Sequence, residues 1–368
     1  MRDYQAFAKE HHEELLTLIR ELAVIPAPSH HEEKRAEYCL AWLHKNVSKD
    51  AYIDDAKNAI CILGDASKPA VLFMAHTDIV FDESTPLTVT ERDGKLFCPG
   101  IGDDTAHVAM ILLCAKYAAM NPPKDIRLIF AANSCEEGQG NLKGCRALME
   151  RFGGELSQMI TFDGYREMLT VKAVGSSRYR IAVDTEGGHS LWNFGNANAI
   201  AVMAELISAL QQIPLPKEDI TTFNFGNISG GTTVNSIAQH CELLYEFRSD
   251  NAENLAYMKE NFNSVIEKFK ERYQVTVTSI GERPCGKNVD PKAQQALIER
   301  VESVLKEIAE PKRTSGSTDA NLPLSMGIPA VCPGFIGGAG LHTTEEYIVK
   351  DSLAPGLAAA LRLVDSYL

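Results

Sequence analysis

The chain has 368 residues, 45% of them hydrophobic, which is enough for a sizeable core in two domains or in one domain with an insertion. The formal net charge is -13 and the basic residues are scattered, which argues against nucleic acid or an anionic membrane as a partner. The absence of a signal-peptide pattern, of a membrane-spanning apolar stretch and of C-x-x-C pairs among the 9 cysteines predicts a cytoplasmic protein with reduced thiols.

The first part of the chain predicts alternating helices and strands. A helix is expected to end near Val24, and Ser29-His30-His31-Glu32 has the pattern of a capping box that would begin a second helix at Ser29. Apolar runs then predict strands over residues 71–75, 126–132 and 159–162, with helices over 108–119 and 142–152. Such alternation is typical of an α/β fold with a mainly parallel sheet and helices on both faces.

A change of pattern near Val174 predicts an inserted domain. Its expected elements, in chain order, are a strand over 178–184, a helix over 197–212, strands over 221–228 and 241–247, a helix over 255–272 and a strand over 275–280. The order β-α-β-β-α-β is that of a ferredoxin-like α+β sandwich. The α/β pattern resumes after Pro284, with helices over 293–309 and 353–367 and a strand near 330–331. We therefore predict one discontinuous domain of residues 1–173 and 284–368, with residues 174–283 inserted.

Histidine and carboxylate residues follow strands of the larger predicted domain. His76-Thr77-Asp78 comes directly after the strand over 71–75. In extended chain His76 and Asp78 point to the same side, so the Asp78 carboxylate can bond one imidazole nitrogen while the other faces a metal. Asp103 follows a turn whose glycines, Gly100 and Gly102, allow a tight bend. Taken singly, each motif favours the structural interpretation, a structural histidine at the strand end and an aspartate that caps the following helix.

Two adjacent acids, Glu136 and Glu137, follow the strand over 126–132. Such a pair is costly to place together unless a positive charge neutralises it. One could bind a metal while the other holds the attacking water, or both could lie in a solvated loop. Cys135, beside them, is interpreted as a small buried residue and not as a nucleophile.

Asp163 follows the strand over 159–162, and a glycine-rich loop over 334–340 leads to His342. Together with the residues above they give a set of oxygen and imidazole ligands without thiolates, which suits zinc, cobalt or manganese. Five ligands are more than one tetrahedral ion requires. They indicate two divalent ions that share a bridging carboxylate, an arrangement that hydrolases use.

As a set, these motifs resemble the dinuclear zinc metallopeptidases that include peptidase T, the carboxypeptidase G type and aminoacylase. The resemblance runs from H-T-D at 76–78 to H-T-T-E-E-Y at 342–347. The block G-S-T-D-A-N at 316–321, followed by G-I-P-A-V, is similar to the peptidase T branch. The resemblance implies hydrolysis of an amide bond in a small peptide by two divalent ions per chain, with zinc expected first and cobalt or manganese as alternatives.

The resemblance also implies ligand roles in the larger, catalytic domain. Asp103 would bridge both ions. His76 and Asp163 would complete one metal site, and Glu137 and His342 the other. Thr105 stands where members of the family commonly carry Lys, which leaves Asp104 without an obvious neighbour of opposite charge.

Further roles follow from the same resemblance. Glu136 would be the general base, and Asp78 would orient His76. In the inserted domain, His189 would stabilise the tetrahedral oxyanion, while Asn235 and Arg248 would contact substrate. The insertion would serve as a lid or dimerisation domain. Because it is present in one copy, the sequence favours a homodimer in which His189 reaches the partner's metal centre.

Three functions remain to be separated. Within the resemblance, Asp163 favours an aminopeptidase acting on di- or tripeptides over a carboxypeptidase or an N-acyl amino acid amidohydrolase of the same fold. A non-catalytic binding protein on the same scaffold is the alternative from another class. Glu136 argues against it, because a decayed site would be expected to lose its base or a ligand, and none is missing.

Overall fold

The structure is a computed structural model that describes residues 3–368. The helices are α1 Tyr4–Glu10, α2 His12–Ala23, α3 Glu33–Asn46, α4 Ala106–Met120, α5 Lys143–Phe152, α6 Ala199–Gln211, α7 Ala252–Lys270, α8 Pro291–Leu305, α9 Asn321–Ser325 and α10 Lys350–Asp365. The strands are β1 Tyr52–Ile53, β2 Ala59–Leu63, β3 Ala70–His76, β4 Thr90–Arg92, β5 Lys95–Phe97, β6 Arg127–Asn133, β7 Leu156–Thr161, β8 Met168–Ala173, β9 Gly175–Asp184, β10 Gly188–His189, β11 Thr221–Gly230, β12 Ser236–Ile237, β13 His240–Ser249, β14 Gln274–Arg283, β15 Lys312–Gly316, β16 Ala330–Pro333, β17 Gly338–Ala339 and β18 Tyr347–Val349.

The chain forms two compact units. One comprises the chain up to Ala173 together with Lys287–Leu368, and the other is Val174–Gly286. The lid or dimerisation role of the smaller unit stays a prediction. Among the described residues, every helix is too short or too polar to cross a bilayer.

The larger unit is organised by a sheet of strand order β1-β2-β6-β3-β7-β16-β8-β15. Its centre is parallel, because β3 pairs in parallel with β6 and β7, and β7 with β16. Antiparallel pairs flank this centre, β2 against β6 and β8 against β16. The predicted mainly parallel α/β fold is confirmed.

Both faces of the central strand β3 are buried, which explains its uninterrupted apolar sequence. Val71 and Phe73 belong to one core, shared with α2, α4, α8 and α10. Leu72 and Met74 point the other way, into a second core shared with α5 and α9. Helices therefore cover the sheet on both sides.

The smaller unit is a sheet of order β11-β13-β9-β14 in which every neighbouring pair is antiparallel. Helices α6 and α7 pack on one face of it, and Leu206 and Phe262 share a core with Ile181 of β9. The chain order of these elements is the predicted β-α-β-β-α-β.

Two local predictions are wrong. The region before Val24 forms two helices, α1 and α2, which are interrupted at His11. The capping box at Ser29 does not form, and α3 begins at Glu33. The reason is that both side chains of the proposed box have other partners. Ser29 Oγ donates to Asp78 Oδ2 at 2.7 Å, and Glu32 Oε1 accepts the N–H of Cys135 at 3.1 Å.

Candidate metal centre

The carboxyl ends of three neighbouring parallel strands collect the predicted site residues. His76 is the last residue of β3 and lies beside Asn133, the last residue of β6. Glu136 and Glu137 follow β6 in a turn, and Asp163 follows β7. This edge of a parallel sheet is where α/β proteins bind ligands, because neighbouring strand ends open a crevice there.

Asp103 lies in the tight turn Ile101–Thr105, at the start of α4, between two histidines. Its Oδ1 is 3.0 Å from His76 Nε2, and its Oδ2 is 3.0 Å from His342 Nε2. Glu137 Oε1 lies 3.2 Å from the same His342 nitrogen. One carboxylate therefore presents a different oxygen to each imidazole.

The described residues contain three groups whose ligand atoms lie within 4.8 Å of one another. One group is His76, Asp103 and Asp163, and another is Asp103, Glu137 and His342. These two groups share only Asp103, and they contain the residues that the family resemblance assigns to the two ions. The third group is His76, Glu136 and Glu137, which places a carboxylate oxygen of Glu136 beside the cluster.

The residues present fit divalent metal ions. His76 Nε2 is buried and makes no well-aligned hydrogen bond among the described residues, although the Asp103 carboxylate is adjacent. A buried polar atom of this kind normally has a partner, and a metal would supply one. The donors are imidazole nitrogens and carboxylate oxygens, the ligands of zinc and of other hydrolytic metals.

Electrostatics at the centre reflect crowded acids and two imidazoles. Burial alone would raise the pKa of Asp103, but the adjacent imidazoles of His342 and His76, each 3.0 Å from a carboxylate oxygen, outweigh it and lower that pKa. Burial, reinforced by the charge of Asp103, raises the pKa of Asp163 to about 7. The hydrogen bonds to Asp103 and Glu137 raise the pKa of His342 to about 10. Such mutual perturbation is typical of functional sites, where like charges are held together.

Asp78 supports the centre in more ways than the sequence predicts. Its main-chain oxygen lies 3.0 Å from His76 Nδ1, and its Oδ1 lies 3.4 Å from the same nitrogen. Its carboxylate also accepts the backbone N–H groups of Glu136 at 2.8 Å and Glu137 at 3.0 Å. One buried acid thereby fixes the His76 ring and the turn that carries both glutamates.

Glu346 is a functional candidate that sequence reasoning missed. It is fully buried and accepts the backbone N–H groups of Gly100 at 2.9 Å, Gly102 at 2.7 Å and Asp103 at 2.8 Å. Burial raises its pKa to about 7. The sequence did offer one indication of this residue, the two adjacent acids Glu345 and Glu346 in the H-T-T-E-E-Y motif. The motif alone does not show which of these two acids is buried.

Asp104 has a neutral partner, His107, which the sequence did not indicate. His107 Nδ1 lies 2.6 Å from Asp104 Oδ1, and His107 Nε2 accepts the N–H of Phe335 at 3.1 Å. The ring proton therefore lies on Nδ1 and is donated to Asp104. Burial lowers the pKa of His107 to about 3, so the ring stays neutral. Asp104 Oδ2 accepts the backbone N–H of His76 at 3.0 Å.

The remaining predicted residues lie in the smaller unit. His189 and Asn235 are exposed neighbours: the N–H of Ser190 donates to Asn235 O at 3.0 Å. Arg248 is half-buried and forms two hydrogen bonds with Glu246, at 2.9 and 3.1 Å. Asp250, two residues further on, accepts the N–H of Ile220.

A mainly parallel α/β sheet with imidazole and carboxylate groups gathered at its strand ends is an arrangement that metal-dependent hydrolases use. A model of Peptidase family M20/M25/M40 matches residues 72–366, and the chain belongs to this family. Members of the family are hydrolases that use divalent metals.

Individual relatives differ in activity. The chain is 25% identical over 310 residues to succinyl-diaminopimelate desuccinylase of Paraburkholderia xenovorans, covering 77% of this chain and 79% of that protein. The crystal structure of aminopeptidase PepT from Bacillus cereus matches with a TM-score of 0.73 and 22% identity over 97% of this chain and 98% of that chain. A metallo-carboxypeptidase from Sulfolobus solfataricus matches with a TM-score of 0.79 and 14% identity over 96% and 99% of the two chains. The structural matches establish the fold, and the relatives together support metal-dependent amide hydrolysis.

Proposed function

We propose that the protein is an aminopeptidase that hydrolyses di- or tripeptides with two divalent ions, zinc in the first place. The observation that carries the proposal is the position of Asp103, whose two oxygens each lie 3.0 Å from a different imidazole. His76 and Asp163 would complete one metal site with Asp103, and Glu137 and His342 the other. When bound, the ions polarise the scissile carbonyl and lower the pKa of the attacking water.

The chain's own residues would then manage the protons. Glu136 lies beside the ligands and is held by its backbone N–H to Asp78, so its carboxylate can take the proton of the attacking water and pass it to the leaving amine. Asp78 would keep the His76 ring oriented, because its main-chain oxygen accepts a hydrogen bond from Nδ1. A water-poor environment strengthens these interactions, and Glu136, Glu137 and Asp103 are all largely buried.

His189, Asn235 and Arg248 would act on the substrate. His189 would stabilise the oxyanion and Asn235 would contact the peptide. Arg248 would bind the C-terminal carboxylate of the peptide through two parallel hydrogen bonds from its guanidinium. A Lys ammonium group cannot form this paired contact. The hydrogen-bonded pair with Glu246 means that substrate would have to compete for this guanidinium. We further propose that the protein is a homodimer paired through the smaller unit and is located in the cytoplasm.

A second function is favoured by a specific observation. The chain is similar over most of its length to a desuccinylase, which removes an acyl group. An N-acyl amino acid amidohydrolase, or a carboxypeptidase of the same fold, is therefore the alternative. Asp163, in place of a glutamate at this ligand position, supports the aminopeptidase instead.

The test is a substrate screen with metal-free protein reloaded separately with zinc, cobalt and manganese. Tripeptides with free termini should be cleaved, and N-acetylation should abolish cleavage, since an aminopeptidase requires the free amine. C-terminal amidation should raise KM through the loss of the Arg248 contact. Preferential cleavage of N-acetyl or N-succinyl amino acids would instead establish the alternative.

A further inference from the structure

Arg35 is a buried cation whose partners all belong to the neighbourhood of the metal centre or to the chain leading to it. The residue is 1% exposed and lies in the first turn of α3. Its Nε donates to Ile25 O at 2.9 Å, and its Nη1 donates to Thr77 O and to Thr105 Oγ1, both at 3.0 Å. None of these acceptors carries a charge, and Arg35 makes no ion pair among the described residues.

The two acceptors of Nη1 lie in two segments that supply two of the three residues proposed to hold one ion, His76 and Asp103. Thr77 stands between His76 and Asp78 at the end of β3. Thr105 stands two residues after Asp103, and its Oγ1 donates to Gly100 O at 2.6 Å, which closes the turn. A single nitrogen with two hydrogens therefore bridges the His76 segment and the Asp103 segment.

The nearby buried acid Asp78 explains why a positively charged side chain is buried at this position. Removing a guanidinium from water is costly, and neutral acceptors offset only part of that cost. Burial lowers the pKa of Arg35 to about 10, and the nearby charge of Asp78 acts in the opposite direction, so the group stays protonated at neutral pH. Asp78 is a buried acid outside the proposed ligand set, and Arg35 supplies positive charge near it.

We propose that Arg35 is a positioning residue of the metal centre, which joins the segment of His76 to the segment of Asp103 and so sets the separation of these two ligands. The inference rests on the proposed function, because it assumes that both residues hold the same ion. Arg35 would act through Thr77 and Thr105 and would not touch substrate. Groups that orient metal ligands in this way typically contribute about 10- to 100-fold in metal affinity.

The test compares Arg35→Met, Arg35→Lys and Thr105→Val with the native protein. Cobalt titration of the metal-free protein, followed by the absorption of the bound ion, gives the affinity for each ion. We expect Arg35→Met and Thr105→Val to weaken binding of one ion by about 10- to 100-fold. Arg35→Lys, which retains the charge but loses the forked geometry, should lie between them and the native protein. At saturating metal, kcat should fall while KM stays close to native.

Two matched controls test whether the effects come from the hydrogen bond between Arg35 and Thr105. Thr105→Ser keeps the hydroxyl and should restore native affinity. Arg20→Met removes an exposed arginine paired with Glu91 and should leave metal binding unchanged. The effects of Arg35→Met and Thr105→Val on metal affinity should also be non-additive in the double variant, because both substitutions remove the hydrogen bond between Arg35 Nη1 and Thr105 Oγ1.

The outcomes separate this inference from the proposed function. If the native protein binds no divalent ion, the proposed function fails. If the native protein binds two ions and Thr105→Val binds them with native affinity, the positioning role of Arg35 is overturned. That result decides the matter even where Arg35→Met is too unstable to purify. Lower thermal stability with unchanged cobalt affinity would likewise contradict the inference, because it would assign Arg35 to packing alone.

Discussion

The Oδ1 atom of Asp78 accepts the backbone N–H of Glu136 at 2.8 Å. This bond links the end of β3 to the turn after β6, and the other carboxylate oxygen of Asp78 extends the link to Glu137. The proposed base and a proposed ligand are thus held by one buried acid. Because hydrogen bonds to a carboxylate are stronger than those between neutral groups, this link fixes the turn firmly.

Replacing Asp78 should loosen that turn. In Asp78→Asn the amide nitrogen cannot accept an N–H, so one of the two backbone bonds is lost. We expect metal affinity and kcat to fall by about 10- to 100-fold, as is typical when a group that orients ligands is changed. Metal titration and steady-state kinetics measure both quantities. Ser29→Ala is the matched control, since it removes only the hydroxyl bond to Asp78 Oδ2 and should remain near native.

Glu136 should be separable from the metal ligands. We expect Glu136→Gln to lower kcat by at least about 10²- to 10⁴-fold, the usual contribution of a general base, while metal content stays near native. Kinetics and elemental analysis of the same preparation test this. Glu137→Gln provides the contrast, because a lost ligand should reduce metal content as well. If Glu136→Gln loses metal and Glu137→Gln retains it, Glu136 is the ligand and Glu137 the base, which would contradict our assignment.

Metal loading should release a proton from His342. In the metal-free protein the pKa of His342 is raised to about 10, so the ring is protonated at pH 8. A metal binds the neutral ring, and loading must therefore expel that proton. The corresponding stabilisation of the metal-free protein is fully present below pH 6.5 and is lost as the pH rises through about 10.

Calorimetric zinc titration in buffers of different ionisation enthalpy counts the protons released. We expect His342→Asn to release about one proton fewer than the native protein at pH 8. An equal count in both proteins would mean that His342 is not protonated there or does not bind metal.

Strand ends allowed the sequence to predict which of the candidate residues lie close together. His76, Glu136, Glu137 and Asp163 follow strands of one parallel sheet, and the geometry of such a sheet brings their positions together. The Ser29 capping box failed because a local pattern cannot reveal distant partners: Ser29 bonds Asp78, 49 residues away. Glu346 was missed for the same reason, since its acceptor role toward the Asp103 turn spans more than 240 residues.

The sequence patterns also failed to predict some strands towards the edges of the large sheet. Strands β2 and β8 were not predicted, although they flank the parallel centre. In β8, exposed and buried residues alternate irregularly, so Met168–Ala173 offers neither a continuous apolar run nor a clear period of two.

Activity should be recoverable from two inactive variants if His189 acts across a dimer. Losing one oxyanion donor typically lowers kcat by about 10²- to 10³-fold, so His189→Ala should be nearly inactive. Mixing it with Glu136→Gln should give hybrid dimers in which one site holds both native residues. Recovery of activity after subunit exchange is the expected result. Demonstrated exchange without recovery, or an active monomer, would refute donation in trans.

The metal content of Asp103→Ala tests the central claim most directly. Asp103 lies between His76 and His342, so its loss should disrupt both metal sites together. Elemental analysis should find two divalent ions in the native protein and in the control Asp125→Ala, which changes an exposed acid outside the centre. We expect Asp103→Ala to be inactive and to have lost most of both ions. Two tightly held ions in Asp103→Ala would contradict a centre bridged by this carboxylate.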